Sequence, residues 1–520
     1  MLADGDTGWH LRTGEWMLTN GSIPHHDIFS FTKAGEPWFA WEWLWDLAFG
    51  WLHLHGGMAA VICASTLLIC VTFSVVYRLA LRLSGHPVFA IATTLVAAFG
   101  SSIHWLARPH LFTLLLVAVF FTIIERAQEG RMRALLLLPP LMVLWTNLHG
   151  GFVAGLVLLA MYAAGEALGG AVEPRPEARA LKLGRAWRYL ACAGACLAAS
   201  FANPYGYRLH AHILQFLQDP YQLKNIVEFM SLSFQHPVGK YMEAMLLLGG
   251  VTAAWNMYHR RFTYALVLLG WTHMALVSVR HVPVFLILAA PLISACLADL
   301  LGHLSRADVA GWVRRAAEGL ERMGADLGSI ECIRRVPVIP VAAALLLLVL
   351  LRNEAGAAFR PEYDPKRYPA RAAEMLRGER GVLTSDVWGG YLIYRLYPDF
   401  KVFVDGRSDF YGAEFDERYM AALKGRYDWQ KTLDRYRIEA VLLPVETPLA
   451  STLKESARWR TVYDDGVAIL FRRVAPGAGV APAPLGTTQD SAVPDGGVSA
   501  AMRPQFSQPV VFGSQSYARR

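Results

Sequence analysis

Charge is what this sequence has least of. Asp, Glu, Lys and Arg supply only 18% of its 520 residues, while hydrophobic residues supply 54%. Soluble globular chains carry about 25% charged and about 45–50% apolar residues, so a soluble enzyme along the whole length is excluded, as are fibrous and disordered chains. Cysteine is scarce too. The six cysteines (Cys63, Cys70, Cys192, Cys196, Cys296 and Cys332) form no CxxC pair, which speaks against a zinc knuckle or a disulfide framework. Cys192 and Cys196 are spaced to share one helix face and read as small packing residues. The chain has no Walker glycine loop, no dinucleotide fingerprint and no HExxH, so nucleotide-driven and zincin chemistry lack their usual frames. The net charge of +7 is modest, and the basic residues sit mostly between apolar runs. That pattern fits membrane topology and gives no reason to expect nucleic acid as a partner.

What the sequence has in quantity is apolar runs. A helix crosses the bilayer with roughly 17–25 such residues. Ten candidate spans lie at 58–78, 88–105, 109–125, 134–149, 151–170, 189–202, 240–258, 262–279, 282–300 and 336–352, forming a membrane domain over 58–352. Residues 43–55, WLWDLAFGWLHLH, read as an interfacial helix, since tryptophan and histidine suit the headgroup belt. Five arginine clusters give the orientation: Arg78 and Arg82; Arg126, Arg131 and Arg133; Arg175 to Arg188; Arg260 and Arg261; and Arg306 to Arg335. All fall on one side if the spans alternate, and the positive-inside rule makes that side cytoplasmic.

Residues 1–57, the 203–239 loop and everything after 352 are then extracytoplasmic. Because nothing in the sequence ahead of the first loop would export it, a further first helix upstream of Met1 is expected. Residues 353–475 read as a small α/β domain: strand-like VLTS and KVFVD around helix-like YLIYRLY, then LDRYRIEAVLLP, WRTVYDDG and AILFRRV. The remainder, 476–520, is rich in Ala, Pro, Gly, Ser and Gln without any period, the composition of a disordered tail.

The first loop concentrates chemistry. Asp4, Asp6, His10, Arg12, Glu15, His25, His26, Asp27, Glu36, Glu42 and Asp46 stand among tryptophans, and HLRTGEWMLTNG reads as an amphipathic helix ending at Asn20-Gly21. A carboxylate at the membrane surface needs a partner, so Asp6 reads either as a catalytic or metal-binding acid or as part of a solvated loop. Arg108, with His104 and His110 beside it, lies between two spans with almost no loop. His149 follows Asn147 at an outer span end, Asn203 opens the long outer loop, and Arg280-His281 sits at another outer turn. Singly these are anchoring or helix-linking residues. Together they place two arginines, several histidines and the Asp6 loop at one depth, as an outward polar cavity would. Paired guanidinium groups match phosphate oxygens, which suggests a lipid carrying phosphate or diphosphate.

An acid early in the first outer loop, an amphipathic helix ending in glycine and an aromatic segment leading into the next span resemble the GT-C superfamily of membrane glycosyltransferases. The organisation is most similar to that of protein mannosyltransferases and the lipid A aminoarabinose transferase. The resemblance covers about residues 1–300, with two departures: Asp6-Thr7 stands where the family has Asp-Glu, and WEWL (41–44) where relatives often have a Pro-Pro-Leu-type stretch. It implies a bacterial cytoplasmic-membrane enzyme with a polyprenyl-phosphate-linked sugar as donor. Over about 4–470 the chain also resembles large bacterial polytopic membrane proteins sharing D-x-x-W-H-L, N-x-H-G-G, N-P-Y-G, R-H-x-P and G-G-Y-L…V-F-x-D-G-R, a resemblance that implies no reaction.

The expected function is sugar transfer to an extracytoplasmic lipid, glycan or protein. Asp6 would be the general base, with Asp4 and Asp27 the next acids; Arg108, His110, His149, Asn203, Arg280 and His281 would bind the donor. Asp405, Arg407 and Asp409 of DGRSDFYG would line the acceptor site or form a turn with a structural Arg–Asp pair. A divalent ion on Asp4 or Asp6 is the one cofactor the residues suggest. The expected geometry is Asp6 facing Arg108 and Arg280 across an open gap. The alternatives are a non-catalytic membrane scaffold or assembly subunit on the same fold, and a lipid-linked glycan transporter.

Overall fold

The chain's architecture was obtained as a computed structural model that describes residues 1–334 and 361–474. The expected span at 336–352 and the tail at 476–520 lie outside the described residues.

Helix α1 (Asp6–Asn20) is the expected amphipathic helix. It stops at Gly21, whose left-handed backbone (φ 64°) returns its N–H to the carbonyl of Met17, a conformation glycine adopts without steric cost. Helix α2 (Trp43–Ser84) is broken at Gly57, with φ 61° and ψ −166°. The break separates residues 43–56, which include the stretch read as interfacial, from the first apolar run. α1 crosses α2 at Gly14 and Gly50, where a side chain on either would run into the other helix's backbone.

The bundle continues with α3 (Pro87–Ser101), α4 (His110–Gln128), α5 (Leu138–Leu148), α6 (Val153–Ala171), α7 (Pro176–Ala199), α8 (Tyr207–Gln218), α9 (Pro220–Asn225), α10 (Gly239–Tyr258), α11 (Phe262–Val277), α12 (Val282–Leu304) and α13 (Gly311–Arg334). Every residue of α12 from Val282 to Ser294 is buried, as expected of a helix that is apolar all round and central. Five helical stretches among the described residues are long and apolar enough to cross a membrane: Trp43–Ser84, Pro87–His104, His110–Gln128, Gly150–Ala171 and Val279–Leu304. Met132–Leu148 and Phe262–Val277 are shorter apolar helices. The expected spans 189–202 and 240–258 are helical but are not in this set. α7 carries Lys182, Arg185 and Arg188, and α10 opens with Lys240 and Glu243.

The outer domain holds a four-stranded sheet of β1 (Val382–Thr384), β2 (Ala440–Pro444), β3 (Trp459–Asp464) and β4 (Ala468–Arg473), in the order β1-β2-β4-β3. β1 and β2 are parallel and the other pairs antiparallel. KVFVD does not join this sheet. Its Val402 pairs instead with the first loop: the Val402 N–H donates to Phe29 O and the Phe31 N–H donates to Val402 O, both at 3.1 Å. The strand propensity was real, but the partner is 370 residues away in sequence. Helix α14 (Asp386–Leu396; DVWGGYLIYRL) lies on α1 through Gly8 and Gly390, whose backbones approach too closely for a side chain on either. The first loop and the outer domain are therefore knit together directly above the outer helix ends.

Candidate functional site

Arg108 stands in the turn between α3 and α4, and three carboxylates converge on it. Nη1 contacts Asp4 at 2.5 Å and Glu228 at 3.1 Å, and Nη2 contacts Asp6 at 3.1 Å. Glu228 also takes Arg280, through Nε at 2.8 Å and Nη2 at 2.5 Å, while the Arg280 guanidinium lies 4.4 Å from the centre of the Phe229 ring. Asp6 therefore does not face the two arginines across an open gap: it touches Arg108, and Glu228 bridges to Arg280. Sequence reading missed Glu228. Its only signal is a lone acid inside the apolar IVEFM of the long outer loop.

Burial and the adjacent Asp4 push the Asp6 carboxyl up to about 8, with Arg108 opposing them. Burial also pushes Glu42 up to about 8, again against the pull of Arg108. Glu42 stands at the N-cap position of α2 without a side-chain capping hydrogen bond, its side chain only 12% exposed. It lies 3.4 Å from His149 Nε2 and 3.5 Å from His10 Nε2. The His149 Nδ1 accepts from the Gly151 N–H at 2.9 Å, which leaves the Nε2 edge for Glu42. His10 is fully buried and its Nδ1 meets Asp46 at 2.6 Å. Glu228 behaves oppositely: although burial disfavours its charge, Arg280 and Arg108 hold it below the ordinary carboxylate range. The cluster around Arg108 thus contains two carboxyls raised to about 8 and one held ionised by its arginines.

The remaining predicted residues separate into two groups. His110 gives its Nε2 to the carbonyl of His104 at 2.6 Å, with its ring 6.5 Å from that of His149. His281 packs against Trp271, ring centroids 6.1 Å apart, and its Nδ1 is buried with no partner among the described residues. Asn203 closes its own turn: Oδ1 accepts from the Tyr205 N–H at 2.8 Å, and Nδ2 donates to Ser200 O and Gly206 O. Asp27, Asp405 and Arg407 form a sealed ion cluster. Arg407 is 1% exposed, with Nη2 2.8 Å from Asp27 and 2.6 Å from Asp405. The rings of Trp38, Phe410 and Phe29 enclose its guanidinium at 4.6, 4.9 and 5.2 Å. Asp409, two residues on, is turned the other way and meets His212 of α8 at 3.0 Å. The DGR turn also frames the cleft itself, because Gly406 lies so close to the Asp6 carboxyl that a Cβ there would overlap it.

Asp4 and Asp6, the pair expected to hold a divalent ion, each direct an oxygen at Arg108. Among the described residues no group of three or more His, Cys, Asp or Glu side chains is arranged to hold a metal. A second buried carboxylate lies at the opposite end of α4. Glu125 accepts hydrogen bonds from Tyr162 and Tyr264 and is 1% exposed. The sequence reading found few polar groups within the spans and did not single it out.

No protein-family model and no curated protein sequence matches the chain. Solved structures do. Over 86% of this chain, the oligosaccharyltransferase AglB of Archaeoglobus fulgidus, in complex with an inhibitory peptide and a dolichol-phosphate, superposes with a TM-score of 0.51 at 12% identity. The apo form of the Archaeoglobus fulgidus oligosaccharyltransferase superposes over 92% with the same score at 11% identity. The chain shares its fold with an archaeal oligosaccharyltransferase. It spans 66% of the first of those chains and 71% of the second. At such identities the likeness carries architecture and not reaction. The polytopic α-helical organisation expected from the sequence is matched at that level.

Proposed function

We propose that the chain transfers a sugar from a polyprenyl-phosphate-linked donor to an acceptor on the extracytoplasmic face. The observation that carries this reading is the composition of the charged cluster around Arg108. Two arginines stand beside two carboxyls, Asp6 and Glu42, each raised to about 8, on a fold shared with an enzyme whose structure holds dolichol-phosphate. Cleaving a sugar–phosphate bond leaves negative charge on the phosphate oxygens, and positioned guanidinium groups stabilise charge of that kind. The acceptor hydroxyl must lose a proton, and a base works best with a pKa near the operating pH.

In this reading Arg280, which is paired with Glu228, and Arg108 receive the donor phosphate. Asp6 takes the proton, and Glu42 is the second candidate for that role. Asp409 and His212 border the acceptor side. Asp27, Asp405 and Arg407 fix the loop that carries Asp6. The test is sugar transfer from a polyprenyl-phosphate donor by Asp6→Asn and Glu42→Gln proteins whose thermal transitions match the parent. Loss of transfer with retained binding of polyprenyl phosphate supports the reading, and unchanged transfer in both variants removes it.

One observation favours a second reading, the non-catalytic scaffold. All of the Arg108 contacts named above are to carboxylates, so the arginine is neutralised without a ligand. If that pairing is only a staple, Asp6→Asn lowers stability and polyprenyl phosphate fails to bind the parent protein.

A further inference from the structure

The arginine-rich end of the membrane domain contains a cavity of about 230 Å³ between the last turns of α2 and α10, the Leu292–Asp299 stretch of α12 and the start of α11. It is remote from the Asp6 cleft. α12 begins beside Arg280, and at about 1.5 Å per residue the rise from Val282 to Asp299 is roughly 25 Å. Leu83 and Leu292 supply apolar wall, and Trp255, Arg261, Tyr264 and Asp299 supply polar wall. With about 30 Å³ as one water's share of liquid, the space is that of a headgroup and not of a whole lipid.

Three features distinguish it from a packing fault. Both signs of charge stand in its wall: Arg261 Nη1 is 3.0 Å from Asp299 Oδ2, and the two side chains are 50% and 40% exposed, so each head remains accessible. Trp255 has its indole Nε1 buried with no partner among the described residues, although a buried donor normally finds one. The backbone is bent to deliver Arg261: Arg260 is left-handed (φ 56°) without being glycine, and the Arg261 N–H is tied to Asn256 O at 2.7 Å. Such a conformation is uncommon for a side-chain-bearing residue. Tyr258, 82% exposed, and the neighbouring His259 and His303 rings give this end the aromatic edge of a membrane interface.

We propose that this cavity binds a phosphoethanolamine headgroup, supplied by a zwitterionic phospholipid of the leaflet at the arginine-rich end. The phosphate takes Arg261, whose guanidinium suits oxyanions. The ammonium takes Asp299. The adjacency of these two groups in the wall matches the adjacency of phosphate and ammonium in the headgroup, and Leu83 and Leu292 cover the first methylenes. An anionic headgroup without an amine would set its phosphate against Asp299. A choline headgroup has no N–H to give to that carboxylate. The inference does not depend on the reaction proposed for the outer cleft.

The test is native mass spectrometry of the full chain released from detergent with chain-matched phosphatidylethanolamine, phosphatidylcholine and phosphatidylglycerol. Phosphatidylethanolamine should be retained preferentially. R261Q and D299N should each lower its retention about tenfold, the loss expected for one charge-assisted hydrogen bond. D299N should also move the preference towards phosphatidylglycerol, a switch that general damage to the fold does not produce. Leu83→Trp, which fills the space and leaves the charges in place, should lower retention as well; it keeps the test valid if a charge variant misfolds. Equal retention of the three lipids, or retention unchanged by R261Q and D299N, overturns the proposal. Water-soluble glycerophosphoethanolamine displacing the lipid at equal concentration overturns the lipid as the source.

Discussion

Arg108 and Arg407 are both buried arginines set among aspartates, yet they are used differently. Arg407 is 1% exposed, with Asp27 and Asp405 at 2.8 and 2.6 Å and aromatic rings closing the remaining sides. Its acids are satisfied independently of it: Asp27 accepts from the Ser30 N–H and hydroxyl, and Asp405 from the Tyr411 hydroxyl. Arg108 is 18% exposed, and its acids are left with a surplus. Asp4, Asp6 and Glu228 share it with only Arg280 to help, and Glu42 stands nearby with its carboxyl raised. A sealed, hydrogen-bonded ion cluster fixes a shape. A partly open and over-acidic one responds to protons and to ligands. The molecule places the first kind of cluster two residues from Asp409 and directly behind Asp6, where it holds the second kind in position.

The largest effect should come from breaking the sealed cluster. Arg407→Leu removes the cation paired with Asp27 and Asp405, and an uncompensated buried charge costs about 3–5 kcal/mol. The first loop and the outer domain should separate, and limited proteolysis should cut near residues 25–35 in the variant and not in the parent. The same replacement at Arg108 should leave that region protected, because its acids can take up protons in place of the arginine. Equal proteolysis of the two variants would abolish the distinction.

The next effect belongs to the open cluster. Asp6→Asn keeps the size of the side chain and removes the base. Sugar transfer should fall by about 10²-fold, within the usual range for a general base, and the thermal transition should stay within a few degrees of the parent. Asp27→Asn should do the reverse, lowering the transition and changing transfer only in proportion to the folded protein that remains. A variant pair that moved both quantities together would show that the two clusters are one.

Much of this arrangement was legible in the sequence, and the failures have identifiable causes. The long apolar runs and the α1 helix with its glycine stop follow from local periodicity and turn chemistry. Asp6, Arg108 and Arg280 stood out because charge is costly at a membrane surface. Glu228 did not, since a single acid in a long loop has no period or motif and acquires its role only when α9 and the following turn fold back over Arg280. The DGR turn allowed two readings. Sequence alone could not show that Asp405 and Arg407 point inward to Asp27 while Asp409 points to His212. KVFVD was read as a strand of the outer sheet because its alternation is strand-like, but its partner, Phe29 to Phe31, is set by tertiary contact and not by neighbouring sequence.

The smallest effect is in pH, and it sharpens the comparison because the open cluster holds a carboxyl raised to about 8. The Asp6 carboxyl is raised to about 8, above the ~3.9 of an unfolded aspartate. Below about 4 the side chain is protonated in both states. Between about 4 and 8 the unfolded chain has released a proton that the fold retains, so stability declines as pH rises across this window. Activity should move the other way. At pH 7 a carboxyl of pKa about 8 is only about one-tenth ionised, so a rate that depends on its ionised form should rise about tenfold towards a plateau above pH 8, equivalent to about 1.4 kcal/mol. Transfer measured from pH 6 to 9 should therefore increase while the thermal transition falls. Asp6→Asn should flatten the activity profile and take part of the slope out of the stability profile. Glu42→Gln should remove more of that stability slope, because Glu42 is raised over the same range. A parent protein whose activity is flat from pH 6 to 9 would mean that Asp6 is held ionised by Arg108 throughout, and would place the open cluster in the same class as the sealed one.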